Sequence, residues 1–307
     1  MKSFLLLRAT LSRCRSKFRE YFPALLLVCA IAYPAYFFLD NSSQSLLRPT
    51  YSVLLESPPQ LSVSHPLVRT LLRVLFLLAQ SFVCWMAVVV SLAAISGSML
   101  NEKKNPAQVR LSAAFQRVWS ARWGALVVLS FFAAGLTTLF YAFVRPIFTR
   151  LLMAIWYYSG LSFSSALTAG KFVDAVSVVL ICVMLAKMAL AVPELVDDHD
   201  ILPGRAIRNS LAATLGWEWV FTLLFSVIAA LGYAINLFFD GLLYNSVQYQ
   251  QLSSLGREVI RGALWTILVA IGLMLATTLF ANLYFILRYG AETSPETEPM
   301  ENASAAP

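Results

Sequence analysis

Histidine is almost missing from this sequence, with only His65 and His199 in 307 residues. His65 has no second His or Cys at metal-ligand spacing, which leaves no basis for a zinc centre around it. Cysteine is equally sparse. Cys14 sits in a basic N-terminal stretch, while Cys29, Cys84 and Cys182 fall in apolar runs, so neither a disulfide framework nor a Cys-based metal site is indicated. Charge is the third shortage. Only 13% of residues are charged, about half the usual share, and a soluble globular composition is excluded.

What fills the space is apolar: 59% hydrophobic residues, 13% aromatic residues and a mean hydropathy of +0.71. These values mark an all-α, polytopic integral membrane protein. The net charge of +7 suggests anionic partners. Because the lysines and arginines flank apolar runs and form no patch on a soluble domain, the expected partner is anionic lipid headgroup, not nucleic acid.

Residues 1–20 carry Lys2, Arg8, Arg13, Arg15, Lys17 and Arg19 around a stripe of Phe4, Leu7, Leu11, Cys14 and Phe18. The pattern is that of an interfacial amphipathic helix. A charge-free run from Tyr21 to Leu39 follows, just long enough to cross a bilayer. Ala30-Ile31-Ala32 resembles a signal-peptide cleavage site, but the apolar run continues past it, and the N-terminus is expected to stay in the cytoplasm. Pro49, Pro58, Pro59 and Pro66 punctuate an outer loop over 40–66. The second span is expected from Val74 to Met99. Its end is rich in small residues (Ser91, Ala94, Ser96, Gly97, Ser98), which allow another helix to approach closely.

A second unit opens with Asn105 as helix cap and Pro106 at the first turn. Arg110 and Arg117 lie off an apolar stripe, and Trp119 and Trp123 fit an interfacial aromatic belt. A span from Ala125 to Val144 follows, then an outer interfacial or re-entrant segment over 147–169, then a span from Phe172 to Val192. Lys171 and Asp174, three apart, can pair at its outer end. A third unit contains Arg205, Arg208, Trp217 and Trp219 before a span from Val220 to Phe239, with a last span from Ala263 to Leu287. Residues 291–307 have the acidic, proline-bearing composition of a disordered tail.

The polar stretch Pro193 to Trp219 is the longest between two apolar runs. Beyond Pro203, Ile207, Leu211 and Leu215 share one helical stripe, with Arg205 and Arg208 on the other side. Ala191, Pro193, Leu195, Val196 and Asp198, followed by Ala206-Ile207-Arg208-Asn209-Ser210, resemble a pattern in bacterial multi-pass proteins of the glycerophosphoryl diester phosphodiesterase membrane-domain family. Asp198 stands where glutamate is usual, and Asn209 where a second arginine is common. The resemblance implies a bacterial inner-membrane protein over residues 1–290. It does not imply the phosphodiesterase activity, because the chain holds nothing that could form the soluble barrel of some relatives.

About six transmembrane helices are expected. The distribution of positive charge does not choose between six spans and seven. Spans beginning near 21, 124 and 218 suggest three repeats, over about 1–100, 101–195 and 196–290, each a basic surface helix plus a pair of spans. Only six spans place all three basic helices on one face, with both termini cytoplasmic.

Three functions follow as expectations. The first is a non-catalytic membrane protein whose basic helices contact anionic lipid, with a membrane-protein partner or a second copy as further company. The second is a transporter or channel using the intramembrane polar residues Gln80, Lys187, Asn236 and Asn282. The third, an enzyme, would have to be built on Asp197, Asp198, His199 and Asp200. Neighbouring residues on one loop rarely converge on an ion or substrate without partners elsewhere, so neither an enzymatic site nor a cofactor is expected.

Overall fold

A computed structural model of the chain describes residues 2–47, 66–104, 111–158, 179–184, 186–198, 200–223 and 254–289, with the isolated positions 226, 230, 241 and 246. Helix is the only regular structure among them. In chain order the helices are α1 (Lys2–Ser16), α2 (Phe18–Leu47), α3 (Pro66–Lys104), α4 (Leu111–Leu139), α5 (Arg145–Tyr158), α6 (Ala191–Asp197), α7 (Pro203–Ala213) and α8 (Ser254–Tyr289). Five stretches are long and apolar enough to cross a membrane: Phe18–Asp40, Leu67–Lys103, Arg122–Phe148, Val179–Asp197 and Val259–Tyr289. They match five of the expected spans. The sixth, Val220–Phe239, lies mostly outside the described residues, as do residues 159–169 of the outer segment, residues 170–178 with Lys171, Asp174 and the start of the fourth expected span, the 48–65 loop and the 290–307 tail.

Helix α3 is the axis of the bundle and packs against α2, α4, α6 and α8. Residues 91–100 are buried on every side. This is the small-residue stretch, and removing side-chain bulk is what allows several backbones to converge there. Hydroxyls within the spans donate to carbonyls one turn earlier, as Ser91 does to Ala87, Ser130 to Leu126 and Thr277 to Leu273, so that few polar groups face hydrocarbon unmet.

Polar contacts mark two levels. At the near end, Glu102 closing α3 accepts from Arg13 at 2.9 Å and pairs with Lys17 at 3.0 Å, while Arg122 donates to the Asp198 carbonyl at 2.8 Å. Toward the far end, Gln80 donates to Asp40 at 3.2 Å. From Glu20 to Asp40 the rise is about 30 Å, the thickness of a hydrocarbon core. Large apolar side chains between the levels, among them Leu27, Ile31, Phe38, Val128 and Phe131, are turned outward, as lipid contact requires. Arg122 and Asp198 thus meet at this end although they lie 76 positions apart.

The three basic stretches were expected to lie flat on the membrane as separate surface helices, and each takes a different course. Helix α1 continues into α2 through helical hydrogen bonds at Lys17 and packs along α8, with Asn282 donating to Thr10. The second stretch has no break at Arg122 and Trp123: Leu111–Leu139 is one continuous helix. The third, α7, folds back on the helix before it. A lengthwise course lets each helix meet a neighbour along its whole side, which a flat helix cannot do.

The expected end of a span at Val144 is a widened π turn over Phe140–Val144, after which the helix continues to Tyr158. Pro146 accounts for it. Its ring has no N–H and crowds the carbonyl four residues back, and the turn relaxes by letting Arg145 bond to Phe140 five residues back. Gly262 marks a close approach of another kind. A Cβ there would lie 2.9 Å from a ring carbon of Tyr33, so α2 and α8 meet where only hydrogen fits.

Candidate functional site

The stretch 186–218 forms a helical hairpin. Its outgoing arm ends with α6, whose residues Ala191 to Val196 are all buried. The chain turns through Asp198 and Asp200, where the Asp198 side chain accepts from the Asp200 N–H at 3.0 Å. Extended backbone at Leu202 and a proline at Pro203 then start α7. The return arm runs antiparallel to the outgoing one. Asn209 donates to Glu194 at 2.7 Å, Ser210 donates to the Lys187 carbonyl, and Thr214 to that carbonyl at 3.4 Å and to the Ser210 carbonyl at 2.8 Å. Gly216, at φ +84°, makes the turn that closes the hairpin, a conformation that side chains with a Cβ rarely adopt.

The hairpin is set deep. Asp197 and Asp198 stand at the near-end level, and Lys187 lies ten residues before Asp197, about 15 Å further in at 1.5 Å per residue. The packing agrees: Met188 shares a cluster with Ala133 of α4, itself eleven residues inward of Arg122. The Lys187 ammonium is ion-paired with Glu218 near half the depth of the bundle. A lone charge at that depth is costly, and each of these two neutralises the other.

The near end of the hairpin is tied to α3, α4 and α8. Asp197 accepts from the hydroxyls of Tyr284, at 3.0 Å, and Tyr289, and the Lys103 ammonium lies 3.5 Å above the Tyr289 ring. At the α1–α2 junction, desolvation lowers the Lys17 pKa, but the hydrogen bond it donates to Glu102 and the charges of Glu102 and Glu20 outweigh it and leave the ammonium above its usual value. Burial pushes the Cys14 thiol up, against smaller opposing effects of Thr278 and Arg13.

The leucines of both amphipathic stripes read from the sequence face outward, while Cys14 and Ile207 of those stripes pack inward. On α7 the packed side is Ala206, Ser210 and Thr214, all nearly inaccessible, while Leu211 is 41% and Leu215 70% exposed and Ile207 is half-buried. On α1 the packed side is Leu6, Thr10 and Cys14, and Leu7 and Leu11 are exposed, as is Phe18 at the start of α2. The displacement is one residue around the helix in each case. Lipid is as apolar as leucine, so burying leucine yields little there. Small and hydroxyl side chains decide which face packs, by allowing close approach and interhelical hydrogen bonds.

The remaining expected residues separate. Arg205 and Arg208 are exposed on α7, Trp217 packs against the main core and Trp219 is 84% exposed. Trp123 is half-buried, and Arg117 and Trp119 fall within α4. Arg110, Asn236, His65 and His199 lie outside the described residues. Of the intramembrane polar set, Gln80, Lys187 and Asn282 pair with Asp40, Glu218 and Thr10 respectively, at three separate places. The acidic run does not converge either, since Asp197 turns to the tyrosines and Asp198 to the Asp200 amide. Among the described residues no three His, Cys, Asp or Glu side chains are placed to hold a metal. Sequence reasoning missed Glu194, Glu218, Tyr284 and Tyr289. The carboxylates beside apolar runs were the available signal, since charge at such positions needs a partner.

In comparisons with known proteins, no family model, curated protein or solved structure matches this chain.

Proposed function

We propose that this is a non-catalytic, multi-pass membrane protein of the bacterial inner membrane. It has six spans, with the near end cytoplasmic and its arginines engaging anionic lipid headgroups in support of a lipid- or envelope-related process. One observation carries the reading. Arg8, Arg15, Arg19, Arg205 and Arg208 are exposed at the near end, and among the described residues none of their guanidinium groups makes an ion pair or hydrogen bond. Of the carboxylates nearby, Glu102 is committed to Arg13 and Lys17 and Asp197 to two tyrosines, while Asp198 accepts from the Asp200 N–H. Unpaired arginines at this level face phosphates, and the surplus of cations at the near end over the far end favours a cytoplasmic near end. The membrane-domain resemblance falls on the hairpin and supports the same placement. The transport alternative gains no observation of its own, since Gln80, Lys187 and Asn282 line no common path.

The test is reconstitution with brominated lipids, reading quenching of the protein's tryptophans. Brominated phosphatidylglycerol should quench more than brominated phosphatidylcholine, and the excess should fall when all five arginines become glutamine. A phosphatidylglycerol excess unchanged in the five-fold variant refutes the reading. Cysteines placed at Asp200 and Lys103 should both label only from the cytoplasmic face, and labelling from opposite faces refutes the topology.

A further inference from the structure

The outward face of α7 is amphiphilic along its length, which the usual helical wheel does not display. At 100° per residue, Arg205, Arg208, Ala212 and Leu215 lie opposite the packed stripe of Ala206, Ser210 and Thr214, with Leu211 on the flank. All five are exposed. Arg205 and Arg208 occupy the half beside the near-end level, and Leu215 lies about 15 Å beyond Arg205 along the axis, toward the middle of a bilayer of about 30 Å. The helix therefore descends one leaflet with its cations at headgroup depth and its leucines at acyl depth.

The start of α7 adds a second observation. A helix N-terminus carries partial positive charge and ordinarily attracts Asp or Glu into its first turn. Here the first turn has no acidic residue and holds Arg205, and Leu202 at the cap offers no side-chain hydrogen bond to the free N–H groups. Nothing lies within 4 Å of a Cβ built on Gly204. Asp200 stands just before, yet makes no ion pair with Arg205 or Arg208. The sequence has placed a cation on a positive helix end and left it unneutralised, an arrangement that an anion at that point would stabilise.

We propose that this face binds one anionic phospholipid, with its phosphate on Arg205, Arg208 and the α7 N-terminus and an acyl chain along Leu211 and Leu215. The site rests on the placement of the near end at the membrane surface, and goes beyond it by assigning one lipid to one helix. A free phosphate would meet the arginines but leave the leucines uncovered. Lipid attraction to Arg8 and Arg15 of α1 and Arg19 at the start of α2 is diffuse by contrast, since α1 packs its inner side on α8 and these arginines are spread over more than ten residues.

The experiment is native mass spectrometry of the full chain released from nanodiscs of phosphatidylcholine with one-fifth phosphatidylglycerol. The wild type should retain one phosphatidylglycerol. R205Q/R208Q should weaken that retention by about tenfold, with an unchanged melting temperature because neither side chain has an internal partner. R8Q/R15Q/R19Q should keep the retained lipid while lowering the bulk preference read by quenching, so failure of the site and failure of the wider reading are told apart. Millimolar glycerol phosphate should not displace the lipid. Retention unchanged in R205Q/R208Q, equal retention of phosphatidylcholine, displacement by glycerol phosphate, or cross-linking of two chains through Leu215→Cys would each overturn the proposal.

Discussion

Replacing Ala206 by leucine should harm this protein more than replacing Leu215 by alanine, the reverse of what a water-soluble helix would show. Ala206 is fully enclosed on the packed side of α7, which meets the outgoing arm of the hairpin and α4. Three added carbons have no space there, and overpacking of this kind costs about 1–3 kcal/mol. Pushing α7 outward also weakens the Ser210 and Thr214 hydrogen bonds to the Lys187 carbonyl, each worth about 0.6 kcal/mol in a membrane protein. The total is about 2–4 kcal/mol. A buried Leu→Ala change in a soluble core would cost about 2–5 kcal/mol. Leu215, however, is 70% exposed and faces lipid in the folded and the unfolded membrane-embedded states alike, so its loss should cost about 0.5 kcal/mol or less. Equilibrium unfolding in mixed micelles with increasing sodium dodecyl sulfate, followed by tryptophan fluorescence, measures both. A Leu215→Ala cost equal to or above that of Ala206→Leu would refute the claim that small residues choose the packed face.

Asp197→Ala should lower stability by about 1–3 kcal/mol in the same assay by leaving the Tyr284 hydroxyl without its acceptor, and Tyr284→Phe in that background should recover much of the loss. Lys17 supplies a pH dependence of definite sign. Its folded pKa lies above the ordinary 10.5, so its contribution is complete at neutral pH and is lost as the pH rises through the raised value. Wild-type stability should therefore fall more steeply than that of Lys17→Met above about pH 10, and parallel curves there would count against the Glu102 pairing. In a variant keeping Cys14 as its one cysteine, a water-soluble maleimide at pH 8 should react about a hundredfold slower than after unfolding, because the thiol is enclosed and its pKa is raised. Rapid labelling of the folded protein would show that α1 does not hold its inner face on α8.

Composition and run length were sufficient for the class of protein and for five of its spans. A run such as Tyr21 to Leu39 has one physical solution in a bilayer, a helix, because no other local structure satisfies its own backbone. The small-residue end of α3 was legible for a related reason: a stretch with so little side chain can be useful only where backbones come together. Periodicity failed at α1 and α7, where the leucine stripes turned outward. The amphipathic rule assumes water on one side and an apolar core on the other, and here both surroundings of the helix are apolar or interfacial.

Partner choice lay beyond the sequence altogether. Lys187 and Glu218 are 31 positions apart, Arg122 and Asp198 are 76, and Tyr289 and Asp197 are 92. The sequence by itself determined that these residues cross or border a bilayer, since burial of the peptide backbone in lipid leaves no alternative to helices of that length. Only the tertiary structure decided that α7 turns back beside Lys187, that Glu102 is taken by Arg13 and Lys17 and Asp197 by two tyrosines, and that five arginines are left over. Those outcomes depend on how closely helices can approach one another, and that is a property of pairs of surfaces that no single stretch encodes.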